Sequence, residues 1–259
     1  MNKSNNALNA TRYALTIGWL YPELMNIYGD RGNIITLQKR CEWRNIKTDV
    51  LMLNVGFEKN QLSKCDLLLM GGAQDKQQEA VSADLLKKRI TLKKLIENGI
   101  SGLFICGAYQ FFGKFYEESN GNVINGLKIF DIYTKNQSES KKRLIGNVSL
   151  KCSTLGTQLL GFENHGGKTY LGKTAKPLGN VIKGYGNNGD DKTEGIVYKN
   201  SFGTYLHGPI LPKNPILADY LIEKALEKKY KKKISLKKLD DSLENSARLA
   251  IAKRLSVEI

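Results

Sequence analysis

Apolar and polar positions follow two textures along this chain, and the change between them falls near residue 126. In the first half, short and almost unbroken apolar runs alternate with longer stretches of helical spacing. Residues 14–20, 48–55, 65–70 and 102–105 are such runs, and uniform apolarity suits strands buried on both faces. Between the first two, Ile34, Leu37 and Cys41 share one helical face, with Asp30 placed as its N-cap. A second helix is predicted over 77–98, with Val81, Leu85, Leu92 and Ile96 inward and Gly99 as its stop. Strands and helices in alternation predict an α/β architecture, a parallel sheet covered on both faces.

Beyond residue 126 the runs shorten and turn residues crowd in. Strands are predicted over 128–133, 144–152, 159–162, 181–183, 196–198 and 201–206, mainly β and partly antiparallel. Two helices are predicted to close the chain, over 215–229 and 236–255. In the last, Leu236, Leu239, Leu243, Ala247 and Ala250 lie near one face, a stripe that predicts core packing. Residues 1–12 are polar and predict a disordered extension.

The junction after residue 105 carries the most chemistry. An apolar strand runs into Cys106, then the small residues Gly107 and Ala108, then a helix-compatible stretch with Tyr109, Phe111 and Phe112. Strand, cysteine, tight turn and helix is the logic of a nucleophile elbow, and it sets the thiol at a helix N-terminus. The alternative is a buried core cysteine at a strand end, a common fate of a free thiol. Ligands of parallel sheets bind beyond the carboxyl ends of the strands. Gly71-Gly72 and Cys106 both lie at such ends. The N–H groups of Gly72 and Gly107 are candidate donors to an oxyanion, although Gly71-Gly72 alone is also an ordinary turn. Of the two histidines, His207 follows a predicted strand and precedes Gly208-Pro209, whereas His165 falls in a predicted loop. Strand-end placement favours His207 as general base.

Composition narrows the class. The chain has 259 residues with 41% hydrophobic content, enough for one sizeable core. No apolar run is long enough to span a bilayer and the start has no apolar leader, so a cytoplasmic protein is expected. Its four cysteines show no Cys-x-x-Cys spacing, which argues against a zinc site or a disulfide framework. A formal net charge of +15, concentrated late around residues 227–238, fits a solvated lysine-rich surface. It would also favour an anionic membrane face, whereas no recognition helix, RNP-type or zinc-finger pattern supports nucleic-acid readout. Gly166-Gly-Lys-Thr169 resembles the tail of a phosphate loop but lacks both its leading glycine and its following helix.

The stretch Gly102-Leu-Phe-Ile-Cys106-Gly-Ala-Tyr-Gln110, the preceding Gly71-Gly72 and the late Tyr205-Leu-His207-Gly together resemble the class I glutamine amidotransferases, in their cobyric-acid-synthase-like branch. Tyr28-Gly-Asp-Arg-Gly-Asn33, Gly161-Phe-Glu-Asn-His-Gly-Gly167, Gly184-Tyr-Gly-Asn-Asn188 and the run from Gly203 to Pro212 are similar to the glutaminase subunits of lipid II-amidating synthetases. The resemblance implies a three-layer sandwich with an amidotransferase domain over 13–230. A basic segment and helix over 231–259 would pack on that domain or at a partner interface. It implies Cys106 as nucleophile and His207 as base. Arg143 matches a glutamine-contacting arginine, and its guanidinium would hold the substrate α-carboxylate bidentately. Gln110 sits where the family has a helix glutamine near the substrate. The resemblance implies no cofactor in this chain. ATP and Mg2+ are expected on a Mur-ligase-like (MurT-like) partner in a heterodimer, which would use the ammonia on lipid II. Two departures stand out. Ala108 replaces a usual glycine, and Pro209 stands where many members carry the acid that orients the histidine, so an acid from the partner is expected to complete the triad. An amidotransferase for another carboxylate, such as a corrinoid, and a non-catalytic binding subunit are the alternatives.

Overall fold

The protein is described by a computed structural model covering residues 13–27, 29–73, 75–136 and 143–259. The extension expected over 1–12 lies outside these residues, as do Tyr28 and the two lysines before Arg143. The elements run β1 (Tyr13–Leu20), α1 (Arg31–Glu42), β2 (Ile46–Leu53), β3 (Leu67–Met70), α2 (Asp75–Lys87), α3 (Arg89–Glu97), β4 (Ser101–Ile105), α4 (Gly107–Phe111), β5 (Phe115–Glu117) and β6 (Val123–Asn125). They continue with β7 (Ile132–Asn136), β8 (Leu144–Cys152), β9 (Thr157–His165), β10 (Gly167–Leu171), β11 (Gly179–Lys183), β12 (Thr193–Glu194), β13 (Ile196–Tyr198) and β14 (Ser201–Thr204). Helices α5 (Ile210–Lys213), α6 (Pro215–Tyr230) and α7 (Ser242–Leu255) complete the chain.

The fold is α/β. The main sheet has the order β13-β14-β4-β3-β1-β2. Its strands are parallel except for β13, which pairs antiparallel with β14 at one edge. Strands β3, β4 and β14 are buried at every position, as central strands covered on both faces must be. Because the five parallel strands share a direction, Met70, Ile105 and Thr204 end side by side. Gly71-Gly72, Cys106 and the approach to His207 therefore emerge from three neighbouring strands at one edge, as the strand-end reasoning requires. The β-rich second half forms two smaller sheets, β10-β7-β5-β6 and β12-β11-β8-β9, antiparallel apart from the β5–β7 pair.

Several expectations need correction. The helix over 77–98 is two helices broken at Lys88, although Val81, Leu85, Leu92 and Ile96 are buried as predicted. Lys88 leaves the helical conformation, with φ −103° and ψ 1°, and is itself buried, its ammonium 2.6 Å from Asp84. The strand expected over 128–133 begins only at Ile132, since Lys128 takes a left-handed φ of 55°. The last helix begins at Ser242 rather than near 236. Leu243, Ala247 and Ala250 are exposed, and the residues it buries are Arg248 and Ala252. Among the described residues no helix is long and apolar enough to cross a membrane.

The C-terminal segment is fastened by charge. Arg40 of α1, 2% exposed at its side chain, bridges Asp219 of α6 and Asp241 before α7, with nitrogen–oxygen distances of 2.6 Å to each. Arg44 reaches the same Asp219 at 2.6 Å and the carbonyl of Lys237 at 2.7 Å. Arg248 donates to Asn214 Oδ1 at 2.6 Å and to Gln158 O at 2.9 Å. Replacing Arg40 by alanine leaves two partly buried carboxylates facing each other. The R40A variant is expected to lose about 3 kcal/mol of stability, read as a lower urea midpoint at unchanged slope. R40K should recover only part, because one ammonium cannot bind two carboxylates in the bidentate fashion of a guanidinium.

Candidate active site

Cys106 sits between β4 and α4 with φ 53° and ψ −109°. A non-glycine residue there is held in a costly conformation, of order 1–3 kcal/mol, and such outliers persist where the surroundings enforce them. The enforcement is visible. Cys106 N–H donates to Thr204 O at 2.8 Å, which keeps it tied to the sheet, and its carbonyl accepts Gln110 N–H at 3.0 Å, which starts the helix. The sharp turn lifts the side chain off the sheet edge, so the elbow read from the sequence is present in the backbone.

Gly72 shows that thiol and imidazole converge. A Cβ added at residue 72 would stand 3.2 Å from Cys106 Cβ, 3.7 Å from its Sγ and 3.5 Å from His207 Cε1. Both reactive side chains thus abut one small residue, and a larger one would intrude between or against them. His207 is fixed by a short antiparallel bridge to β9, its N–H donating to Phe162 O at 2.7 Å. The side chain is 1% exposed. Burial, then the positive fields of His165, Lys213 and Arg143, push its pKa down to about 3, so the resting imidazole is neutral.

One expected donor is otherwise engaged. The N–H of Gly72 donates to Asp30 Oδ2 at 3.0 Å, so it is not open to an oxyanion in this arrangement. Asp30 stands at the N-cap position of α1 as predicted, but its side chain makes no cap hydrogen bond and reaches across to Gly72 instead. Fully buried, it has its pKa raised to about 6 by desolvation. Gly107 contributes the first N–H of α4, in the orientation helix starts offer to anions.

The remaining sequence candidates divide. Arg143 is exposed, its Nε on Asn164 Oδ1 at 2.9 Å and its Nη2 on Asn164 O at 3.0 Å, and its charge is felt at His207. Gln110 is buried and donates to the Tyr205 hydroxyl at 3.0 Å. His165 is not in a loop. It ends β9, 2% exposed, with Nδ1 2.7 Å from Gly167 O and its ring stacked on Tyr205 at 3.6 Å between centroids. The glycines that follow it suggested a loop, yet Gly167 opens strand β10. That strand also disposes of the phosphate-loop likeness, because Gly167, Lys168 and Thr169 pair with β7 rather than leading into a helix.

Buried acids surround the site that strand-end reasoning did not single out. Glu163 accepts the N–H groups of Tyr185 and Gly186 at 2.7 and 2.8 Å, and Glu194 accepts those of Tyr205 and Gly195 at 2.9 and 2.6 Å. With Asp30, three carboxylates around the pair are each bonded to backbone N–H groups. The only sequence signal for them was that each lies in or just beyond a motif with paired glycines.

Comparison with known proteins agrees with this geometry. Residues 16–215 match the CobB/CobQ-like glutamine amidotransferase domain. The chain is 46% identical over 217 residues to the lipid II isoglutaminyl synthase (glutamine-hydrolyzing) subunit GatD of Staphylococcus aureus, covering 84% of this chain and 86% of that protein. It is 40% identical to the GatD subunit of Streptococcus pneumoniae, covering 89% of this chain and 88% of that one. A probable cobyric acid synthase of Methanococcus maripaludis is 32% identical over 78% of this chain but only 42% of its own length. Among solved structures, a glutamine amidotransferase aligns with a TM-score of 0.56 at 14% identity, over 81% of this chain and 98% of that one, a likeness of fold. With the family's domain spanning most of the chain and an elbow cysteine set against a strand-end histidine, the protein belongs to the CobB/CobQ-like glutamine amidotransferases.

Proposed function

We propose that this chain hydrolyses L-glutamine to glutamate and ammonia through a thioester on Cys106. The ammonia then serves a Mur-ligase-like (MurT-like) synthetase subunit that amidates the D-glutamate α-carboxylate of lipid II. The observation that carries the chemistry is the convergence of Cys106 and His207 on Gly72. The acceptor and partner are carried by the likeness to GatD subunits across nearly the whole chain. The cobyric acid synthases, more than twice as long as the matched part, are the weaker fit.

In the proposed reaction the neutral His207 takes the thiol proton and the sulfur attacks the side-chain amide carbon of glutamine, forming a C–S bond. The N–H of Gly107 stabilises the oxyanion. His207 returns the proton to the departing nitrogen, which leaves as ammonia. It then draws a proton from water, whose oxygen attacks the thioester, releasing glutamate and restoring the thiol. Arg143 holds the α-carboxylate of the substrate. Gln110 supports through Tyr205 rather than by touching glutamine. ATP and Mg2+ act on the synthetase subunit, in the cytoplasm.

The residue two after the imidazole is Pro209, which has no carboxylate, and the nearby acids Asp30, Glu163 and Glu194 are bonded to backbone N–H groups. This favours an acidic residue of the synthetase as the group that orients His207. Two outcomes are expected. Ammonia release from glutamine should be slow for the isolated chain, faster with the synthetase, and abolished in C106A in both. Equal rates with and without the synthetase would refute the completion by a partner, and activity surviving in C106A would refute the thioester.

The second outcome concerns acid stability. An imidazole lowered in the folded state binds fewer protons than the unfolded chain does below its ordinary pKa of 6.5. Its contribution to stability is therefore intact above that value and lost as pH falls towards about 3. Asp30 and Glu194, raised to about 6 and about 7, act in the opposite sense, losing stability as pH rises through their windows. Comparing wild type with H207Q cancels the acids and isolates the imidazole. Between pH ~6.5 and ~5, H207Q is expected to lose about 2 kcal/mol less than wild type in urea unfolding. Parallel curves would show that His207 is not held neutral.

A further inference from the structure

The segment 184–195, which begins with the motif Gly184-Tyr-Gly-Asn-Asn188, takes no part in the chemistry above, yet it is bonded to both catalytic elements. On the nucleophile's side, Asn187 Oδ1 accepts the hydroxyl of Tyr109, three residues after Cys106, at 3.1 Å. The same oxygen accepts Gly195 N–H at 2.9 Å, and Asn187 Nδ2 donates to Thr193 Oγ1 at 3.0 Å. On the imidazole's side stands Glu194, 1% exposed. Its Oε1 accepts the N–H of Tyr205 at 2.9 Å and the hydroxyl of Thr204, and its Oε2 accepts Gly195 N–H at 2.6 Å. Thr204 Oγ1 then accepts Leu206 N–H at 3.0 Å. One carboxylate thus orders residues 204, 205 and 206, the three that lead to His207.

That order is needed because the sheet gives out at this point. The β4–β14 ladder ends at Thr204 opposite Ile105, since Cys106 turns away into α4. Beyond it the chain has Phe162 on one side, through the bridge to His207, and Glu194 on the other. The Tyr205 side chain closes the circuit, with its hydroxyl 2.6 Å from Thr169 Oγ1 and 3.0 Å from Gln110 Nε2 on the helix that follows the nucleophile.

We propose that Glu194 is a positioning residue for amide hydrolysis, setting the reach of the His207 imidazole to the Cys106 thiol through Thr204 and Tyr205. The proposal rests on Cys106 and His207 being the reacting pair. A carboxylate suits the place better than an amide, because every group it meets is a donor. A glutamine can offer one oxygen to Thr204 and Tyr205, and its NH2 then opposes the N–H of Gly195. The titratable groups facing Glu194 are Glu163 from β9 and Tyr109 from α4, and desolvation with the Glu163 charge lifts its pKa to about 7 despite the bonds it accepts.

The test is the rate at which iodoacetamide alkylates Cys106 in the full chain, mapped by peptide mass across the pH range. It is paired with kcat and KM for ammonia release from glutamine in the presence of the synthetase. H207A and C106A are the controls. E194Q is expected to slow alkylation near neutral pH by on the order of tenfold and to move its pH profile towards that of H207A, as a small displacement of one reacting group does. Its kcat should fall by a similar factor with KM unchanged. T204V, which removes one hydroxyl and keeps the shape, should move both readouts the same way by less, and it decides the matter if E194Q does not fold. A folded E194Q, or T204V in its place, with the wild-type alkylation profile and kcat overturns the proposal. If wild type and H207A share one profile and one rate of ammonia release, the Cys106–His207 reading itself fails and takes this proposal with it, whatever E194Q shows.

Discussion

The backbone at Cys106 is the constraint on which the rest of the site depends. A non-glycine residue with φ of 53° at the end of a central strand is stable only if its neighbours hold it on every side. They do so with two hydrogen bonds, one to β14 and one into α4, and with the absence of a side chain at Gly72. Those requirements set Cys106 between the ends of β3 and β14. The imidazole can then be supplied from β14, although about a hundred residues separate the two in sequence. Parallel order among β3, β4 and β14 converts that sequence distance into contact.

Around this turn lies a shell of buried polar groups whose bonding shapes the electrostatics. Asp30, Glu163 and Glu194 are all buried, and all accept backbone N–H donors. Glu163 also lies 3.7 Å from His165 Nε2, and the charges that bear on His207 are those of His165, Lys213 and Arg143. Each of these is unfavourable to a second positive charge, and burial adds to them. The resting imidazole is therefore held neutral, at the cost of its strength as a base. The acids of this shell are thus engaged by the chain's own backbone.

Much of this was legible in the sequence. The apolar runs into Gly71 and Cys106, and the strand before His207, located the edge at which Cys106 and His207 meet, because parallel strands bury both faces and advertise it. What escaped was decided by tertiary partners. Asp30 looks like a helix cap in isolation, and only the fold brings Gly72 within 3.0 Å of it. The break at Lys88 is invisible in the hydrophobic period, since Leu85 and Leu92 keep their phase across it; it shows only in the backbone at Lys88, with φ −103° and ψ 1°. The late stripe from Leu236 to Ala250 was a coincidence of spacing, with an extended stretch occupying its first turn and Arg248 taking the inward position. His165 was hidden by the glycines after it, which signal a turn but here open a strand.

The bridge made by Arg40 has a bearing on how the molecule is born. Its two carboxylates lie 179 and 201 positions further along, so synthesis from the N-terminus delivers the guanidinium long before anything can neutralise it. Helix α1 cannot settle against α6 in its final form until Asp219 has left the ribosome, and the clasp shuts only after Asp241 follows. The elbow at Cys106 and the bridge at His207 both precede that moment in the growing chain. Completion of the bridge therefore waits on the C-terminal part of the chain, after Cys106 and His207 have been made. A product ending before Asp241 would keep Cys106, His207 and the Arg40–Asp219 bridge but lose the carboxylate that ties the start of the last helix to α1.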